Sequence, residues 1–323
     1  MTLSSPELVC VECRGEGLCR LHSLYTQLAM SKNSLVLTLI PAVFVVIWST
    51  GWVVVLFVMP HADPLTFLSV RFSCAFVVVG LFALLSGAPI PRDIQFIWRA
   101  ILSGVFIHGL YLSCVWWAIW QGVPSGISAI VSALQPLMTA VAAPYLLGER
   151  LSPIRICGIV LGFIGIVVAL LPQLLSLTPS NVVGVAGPIV VNILGMAALT
   201  GGTFYQKRAL PTGDLRVIAA LQFVGACLVT VPMALMIEPM HIEWSLEPFL
   251  ALLWNIFGIS VGGIALLLFL IRRGEVSRAA TLIYMVPATA AVEIFIMKGI
   301  LLTPIQLTGM IITVTGVALA SRK

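Results

Sequence analysis

The sequence predicts an all-α polytopic membrane protein of ten transmembrane helices, arranged as two inverted five-helix repeats. Three observations predict it: a composition too apolar for water, polar breaks spaced about one bilayer apart, and a self-match at an offset of 151 residues. Hydrophobic residues make up 60% of the chain and charged residues 9%. A soluble domain has roughly 45–50% apolar and about 25% charged residues. A soluble fold needs a polar shell that this chain cannot supply, so the bilayer is the fitting solvent.

A span needs about 20 residues, enough at 1.5 Å per residue to cross roughly 30 Å of hydrocarbon. Polar breaks at 60–63, 87–96, 121–124, 148–153, 172–182, 207–216, 238–247, 272–277 and 299–303 leave apolar segments near 35–59, 64–86, 97–120, 123–147, 153–171, 183–206, 216–237, 247–271, 277–298 and 303–321. A transmembrane barrel would alternate apolar and polar residues. Ile154–Leu171 is apolar all round, which favours helices. The connections are short and leave no room for a soluble catalytic domain.

Charge sets the orientation, because Lys and Arg gather in cytoplasmic loops. Alternate connections hold Arg92 and Arg99, Arg150 and Arg155, Lys207, Arg208 and Arg216, then Arg272, Arg273 and Arg278; the tails add Arg14, Arg20, Lys32, Arg322 and Lys323. The opposite connections hold Lys298 and are otherwise acidic, with Asp63, Glu238, Glu243 and Glu247. The split is fifteen cations to one, with Arg71 left inside a span. Both termini are therefore expected in the cytoplasm of a bacterial inner membrane. The cations are too scattered for a nucleic-acid surface, and no nucleic-acid partner is expected.

Cys74, Cys114, Cys157 and Cys227 fall within spans, where Cys acts as a small hydrophobe. Cys10, Cys13, Cys19 and His22 read as C-x2-C-x5-C-x2-H, a zinc-like pattern with a short central gap. An ordinary tail ahead of Met30-Ser31-Lys32-Asn33 is the better reading, so no metal and no cofactor is expected. Residues 1–34 are expected to form a disordered cytoplasmic tail, with 1–29 dispensable. The first apolar run is long enough to be a span rather than a cleavable signal.

At the offset of 151, Ala129, Pro136, Ala140, Val141, Gly148, Leu151, Pro153, Ile154, Gly158, Gly165 and Ala169 fall on Ala280, Pro287, Ala291, Val292, Gly299, Leu302, Pro304, Ile305, Gly309, Gly316 and Ala320. Gly51 pairs with Gly202, and Asp63 with Asp214. Shared apolar composition does not explain paired Pro and Gly, whose roles are positional. The repeats are placed at 35–171 and 183–321. Five spans per repeat force the second to enter from the opposite side, which puts a substrate site near the midplane between the repeats.

Leu146-Leu147-Gly148-Glu149-Arg150-Leu151-Ser152-Pro153, with Gly158 and Gly165 beyond it, resembles the EamA family of the drug/metabolite transporter superfamily. So do Trp48-Ser49-Thr50-Gly51, the run Pro64 to Phe72, and the run Ala279 to Pro287. The resemblance covers 35–321 and implies ten helices in two repeats and export or exchange of small metabolites. Family members often keep an acidic residue after the glycine of the repeat end, where this second repeat has Gly299-Ile300-Leu301-Leu302-Thr303-Pro304.

Charged and polar residues inside spans are the pocket candidates, since an intramembrane charge is functional by default. Arg71 lies about seven residues, roughly 10 Å, inside the second span. Glu293 sits at a similar depth in the ninth; the two could pair, share a water-filled cavity, or carry a proton through Glu293. His108 falls mid-span with Tyr111 on the same helix face. Trp48, Gln135, Asn192, Tyr205, Asn255 and Tyr284 complete the set; buried amides and phenols commonly bond across helices instead. Trp116, Trp117 and Trp120 read as an interfacial belt. Gly158, Gly162 and Gly165 form a small-residue face that fits internal packing or a homodimer contact.

No Walker-type loop, paired hydrolytic carboxylates or nucleophile elbow is found, so the chain reads as no enzyme and no ATP-driven pump. The expected function is a secondary transporter, an exporter of amino acids or related small metabolites, working by alternating access. Competing readings are a lipid-linked sugar translocator and a membrane-embedded sensor or accessory subunit without flux.

Overall fold

The computed structural model describes residue 40 and residues 42–132, 134–147, 152–176, 179–263, 265–266, 286–299 and 301–320. The chain divides into a short amino-terminal unit, Met1–Val43, and a main unit, Phe44–Lys323, which carries the fold. The tail cysteines, His22 and Tyr284 lie outside the described residues.

The apolar segments fold as helices: α1 (Ala42–Val58), α2 (Pro64–Leu85), α3 (Ile94–Trp120), α4 (Ser125–Ser132), α5 (Leu134–Leu147), α6 (Pro153–Ser176), α7 (Pro179–Ala209), α8 (Leu215–Ile237), α9 (Leu246–Gly262), α10 (Val286–Lys298) and α11 (Pro304–Ala320). Among the described residues four stretches are long and apolar enough to cross a membrane: α2, α3, Ala186–Ala209 of α7, and α8. The apolar parts of α1, α6, α9 and α11 are shorter. Among the described residues there is no strand, only an antiparallel bridge between Ala62 and Ile242. Proline opens α2, α6 and α11, where its missing N–H would be unpaired in any case. The seventh helix, α7, outruns its expected 183–206 at both ends, running from Pro179 to Ala209 with Pro188 inside it.

Two pairs of segments 151 residues apart, α2 with α8 and α6 with α11, lie side by side and run antiparallel. The carboxylate of Glu238, just past the end of α8, accepts from the amides of Leu65 and Thr66 at 2.9 and 2.8 Å and from the Thr66 hydroxyl at 2.9 Å. It thereby caps the start of α2. At the other end Arg216, at the start of α8, donates to the Ser86 carbonyl at 3.1 Å and the Ser86 hydroxyl at 2.6 Å, just past α2. Asp214 caps α8 itself, accepting from the Arg216 amide at 2.9 Å. Its repeat partner Asp63 caps nothing on α2; its carboxylate instead accepts from the His241 amide at 2.8 Å. Glu238 fills the role that Asp63 leaves.

The pair α6 and α11 meets through small residues. A Cβ on Gly158 would collide with the backbone of Ala320 and Gly316, and one on Gly165 with Thr313 and Gly309. In return a Cβ on Gly316 would strike Gly162, and one on Gly309 would strike Ala169. Rising numbers on α6 meet falling numbers on α11, and the contact is self-complementary, as about a two-fold axis. Such close backbone approach is how helices associate where no hydrophobic effect drives them.

Both α3 and α9 contain a π-helical segment, Val105–Leu110 and Trp254–Gly262. The offset of 151 carries 105–110 onto 256–261, inside the second segment. Helix α3 packs on α8 at Gly104 and Gly225, where neither position has room for a Cβ against the facing backbone of Gln222 and Ile101. The core gathers Val55, Val58, Leu65, Phe67, Leu68, Phe72 and Val115. Trp116 belongs to it as well, stacked on Phe67 at 5.7 Å and 2% exposed. That corrects its place in an interfacial belt: a position near a helix end is outward only if no neighbouring helix covers it, and α2 covers this one. Trp120 remains outward at 42% exposure. Val77, Leu81, Phe163, Leu235 and Met236 are large apolar side chains left uncovered by protein, the surface that acyl chains solvate.

Candidate functional site

Three of the ten candidates converge between α2, α3 and α8. Arg71 comes from α2, and His108 and Tyr111 from the π segment of α3 and the turn after it. The extra residue per turn of a π segment re-aims its side chains, and such segments recur at functional sites. The Arg71 guanidinium lies within electrostatic reach of Tyr111 and His108. It also sits 5.4 Å from the centre of the Phe72 ring. The His108 ring packs 6.2 Å from Phe72 and 5.2 Å from Phe223, and Gln222 abuts it. The Gln222 amide nitrogen donates to the Ser103 hydroxyl and to the side-chain Oε1 of Gln206, both at 3.0 Å. A polar chain thus runs from α3 through α8 to α7 inside an otherwise apolar bundle.

A second polar contact joins the first and last thirds of the chain. Ser49 on α1, fully buried, donates to the carboxylate of Glu293 on α10 at 2.7 Å. The other Glu293 oxygen is enclosed and has no partner among the described residues. Beside it on α1, the Thr50 hydroxyl accepts from the Trp254 indole at 2.8 Å. A third contact joins α7 to α4: Asn192, fully buried, donates to the Ser128 hydroxyl at 2.7 Å. Its amide oxygen is enclosed without a partner among the described residues.

The remaining candidates are dispersed. Trp48 on α1 is 43% exposed and rests against Phe44, its ring 5.4 Å away. Asn255 is fully buried at the start of the α9 π segment and donates to the Ala251 carbonyl of its own helix at 2.9 Å. Gln135 and Tyr205 are half-buried on α5 and α7. Arg71 and Glu293 form no ion pair with each other: Arg71 turns toward α3, and Glu293 toward Ser49. The expectation of a pair rested on equal depth, which says nothing about which way round a helix each side chain points.

Sequence reasoning missed Gln222, Ser49, Ser128 and Glu238. Gln222 carried the available signal, an amide alone in the middle of an apolar helix. A cavity of about 400 Å³ lies between α1, α4, α10 and α11, lined by Leu56, Ile127, Ile294, Gln306 and Met310 among others. That volume suits a small metabolite.

Antiparallel equivalent helices, small-residue seams and buried polar groups with spare hydrogen-bonding capacity define a helical membrane transporter. The chain belongs to the EamA-like transporter family, which it matches over residues 35–171 and 187–322. It is 22% identical over 313 residues to the uncharacterized transporter YvbV of Bacillus subtilis, covering 92% of this chain and 94% of that one. It is 24% identical to a probable amino-acid metabolite efflux pump of Salmonella typhimurium, over 84% of this chain and 90% of the other. It is 26% identical to the uncharacterized inner membrane transporter YedA of Escherichia coli K12, over 76% and 77%. A solved crystal structure superposes with a TM-score of 0.66 at 19% identity, over 88% of this chain and 96% of the other, a likeness of fold.

Proposed function

We propose that the chain is a secondary exporter of small metabolites such as amino acids, spanning the bacterial inner membrane ten times with both termini in the cytoplasm. The two repeats rock about an in-plane pseudo-two-fold axis and expose a midplane pocket to each side in turn. The observation that carries this reading is the antiparallel packing of repeat-related helices at two places, α2 on α8 and α6 on α11. An inverted repeat is the architecture that gives two equivalent states, one open to each side. The Ser49–Glu293 and Asn192–Ser128 contacts tie the two repeats together and are candidates to break and reform in the cycle. The name of the Salmonella relative supports amino-acid metabolites as the first solutes to try.

The test is a substrate-panel flux assay with purified protein in liposomes, with and without a pH gradient. Saturable flux of at least one amino acid or related metabolite is expected. Empty-vesicle rates for every solute would overturn the reading.

A further inference from the structure

We infer that Arg71 is the counter-cation for a carboxylate on the transported solute, held together with the Tyr111 hydroxyl between α2 and α3. This rests on the transporter reading above and adds the chemical class of what is moved. Arg71 is 7% exposed, and its Nε is enclosed without an acceptor among the described residues. Among the described residues no carboxylate pairs with it. Two buried or half-buried carboxylates are engaged elsewhere, Glu238, just past α8, on the first amides of α2 and Glu293, within α10, on Ser49. Its electrostatic neighbours are a phenol and an imidazole, neither of which brings a negative charge at neutral pH. The nearby Gln222 amide nitrogen donates to Ser103 and Gln206, and the amide as a whole is neutral, so it supplies no counter-charge.

A guanidinium with five donors and no anion among the described residues, inside a membrane span, is expensive to keep. Snorkelling does not relieve it, because the residue is buried in protein rather than extended to an interface. A planar carboxylate matches the guanidinium fork with two parallel hydrogen bonds. Tyr111 offers a further donor, and Phe72, His108 and Phe223 pack against one another beside it with ring centroids 5.2–6.2 Å apart. The same site disfavours amines that lack an acid group, which would place a second cation beside the first. A lipid phosphate would offer similar oxygens, so the experiment separates the two sources.

Full-length protein purified in a neutral detergent is treated with phenylglyoxal, and modification of Arg71 is followed by peptide mass spectrometry. The probes are L-leucine, L-phenylalanine and L-glutamate, the amines isoamylamine and phenethylamine, and added phosphatidylglycerol. Arg71 should react. At least one amino acid should slow that reaction about 10-fold or more, and its amine counterpart should not. Arg71→Lys keeps the charge and loses the fork, and should weaken that protection-matched solute about 10- to 100-fold in flux, the loss expected for charge-assisted hydrogen bonds. An unreactive Arg71, equal protection by amines, or protection by phosphatidylglycerol alone would overturn the proposal. Wild-type flux of the same solute in Arg71→Met would overturn it while leaving transport intact. Protection by a carboxylate without flux of any solute would instead defeat the transporter reading and leave the anion site standing.

Discussion

Glu293 and Glu238 are both carboxylates drawn in from the water, and their partners give them different work. Glu238 spends its oxygens on two amides and a hydroxyl at the start of α2, an N-terminal cap supplied from another helix. Glu238→Ala strands those amides, at about 1–3 kcal/mol for each enclosed group. It should lower the thermal midpoint of the purified protein clearly, and Glu238→Gln less, because the amide oxygen can still accept. An unchanged midpoint in the alanine variant would remove the cap. Glu293 keeps one oxygen on Ser49 and one unengaged, so it has capacity to take up and release a proton. Glu293→Gln preserves the acceptor for Ser49 and should leave stability intact, yet abolish the response of flux to a pH gradient; a preserved response would exclude proton coupling at this residue. Since Arg71 and Glu293 do not touch, the stability effects of Arg71→Met and Glu293→Gln should add within about 0.3–0.5 kcal/mol in the double variant. A double variant more stable than either single one would restore the ion pair that the geometry lacks.

At the scale of helices, the seam between α6 and α11 depends on hydrogen where other residues carry a methyl group. A Cβ at Gly165 meets Thr313 and the Gly309 carbonyl, whereas one at Gly201 on α7 meets nothing within 4 Å. Gly165→Ala should destabilise by about 1–3 kcal/mol through overpacking, and Gly201→Ala should stay within about 0.5 kcal/mol. Equal midpoints for the two variants would show that the seam has room for a methyl group. Gly158 and Gly165 were legible in the sequence because they share one helix face and recur 151 residues later as Gly309 and Gly316. The extents of α2, α3 and α8 were legible because hydropathy and polar breaks are local. The π segments of α3 and α9 were not, because a π turn is an accommodation to packing and leaves no periodic mark. Nor was the work of Glu238, which looks like a loop acid until the start of α2 is set beside the end of α8. The convergence of Arg71, His108 and Tyr111 was half legible: spacing put His108 and Tyr111 on one face of α3, but only the register of α2 against α3 decides that Arg71 joins them.

The whole molecule has two polar faces that the fold assembles from distant loops, and orientation in the membrane follows from which face is outside. On one face the loops at 59–63 and 238–245 are bound together. The Asp63 amide donates to the His241 carbonyl at 3.0 Å and the Glu243 amide to the His61 carbonyl at 2.7 Å. The His61 ring lies 3.7 Å from both Glu243 and Glu247. On the opposite face Arg216 reaches Ser86, close to the basic connections around Arg92 and Lys207. Cations gather on the cytoplasmic side because they resist translocation, whereas acidic residues contribute little. The face of His61 and Glu243 should therefore be outside, and the face of Arg92, with the carboxyl terminus, inside. A cysteine placed at Glu243, whose side chain is 66% exposed, should react with a membrane-impermeant maleimide on intact cells. A cysteine at Arg92, also exposed, should react only after the cells are opened. A protein with all seven of its own cysteines replaced gives the baseline for both. The reverse pattern would invert the topology, and labelling of both positions from outside would mean dual insertion; either result would show that the fifteen-to-one cation split does not set the orientation of this chain.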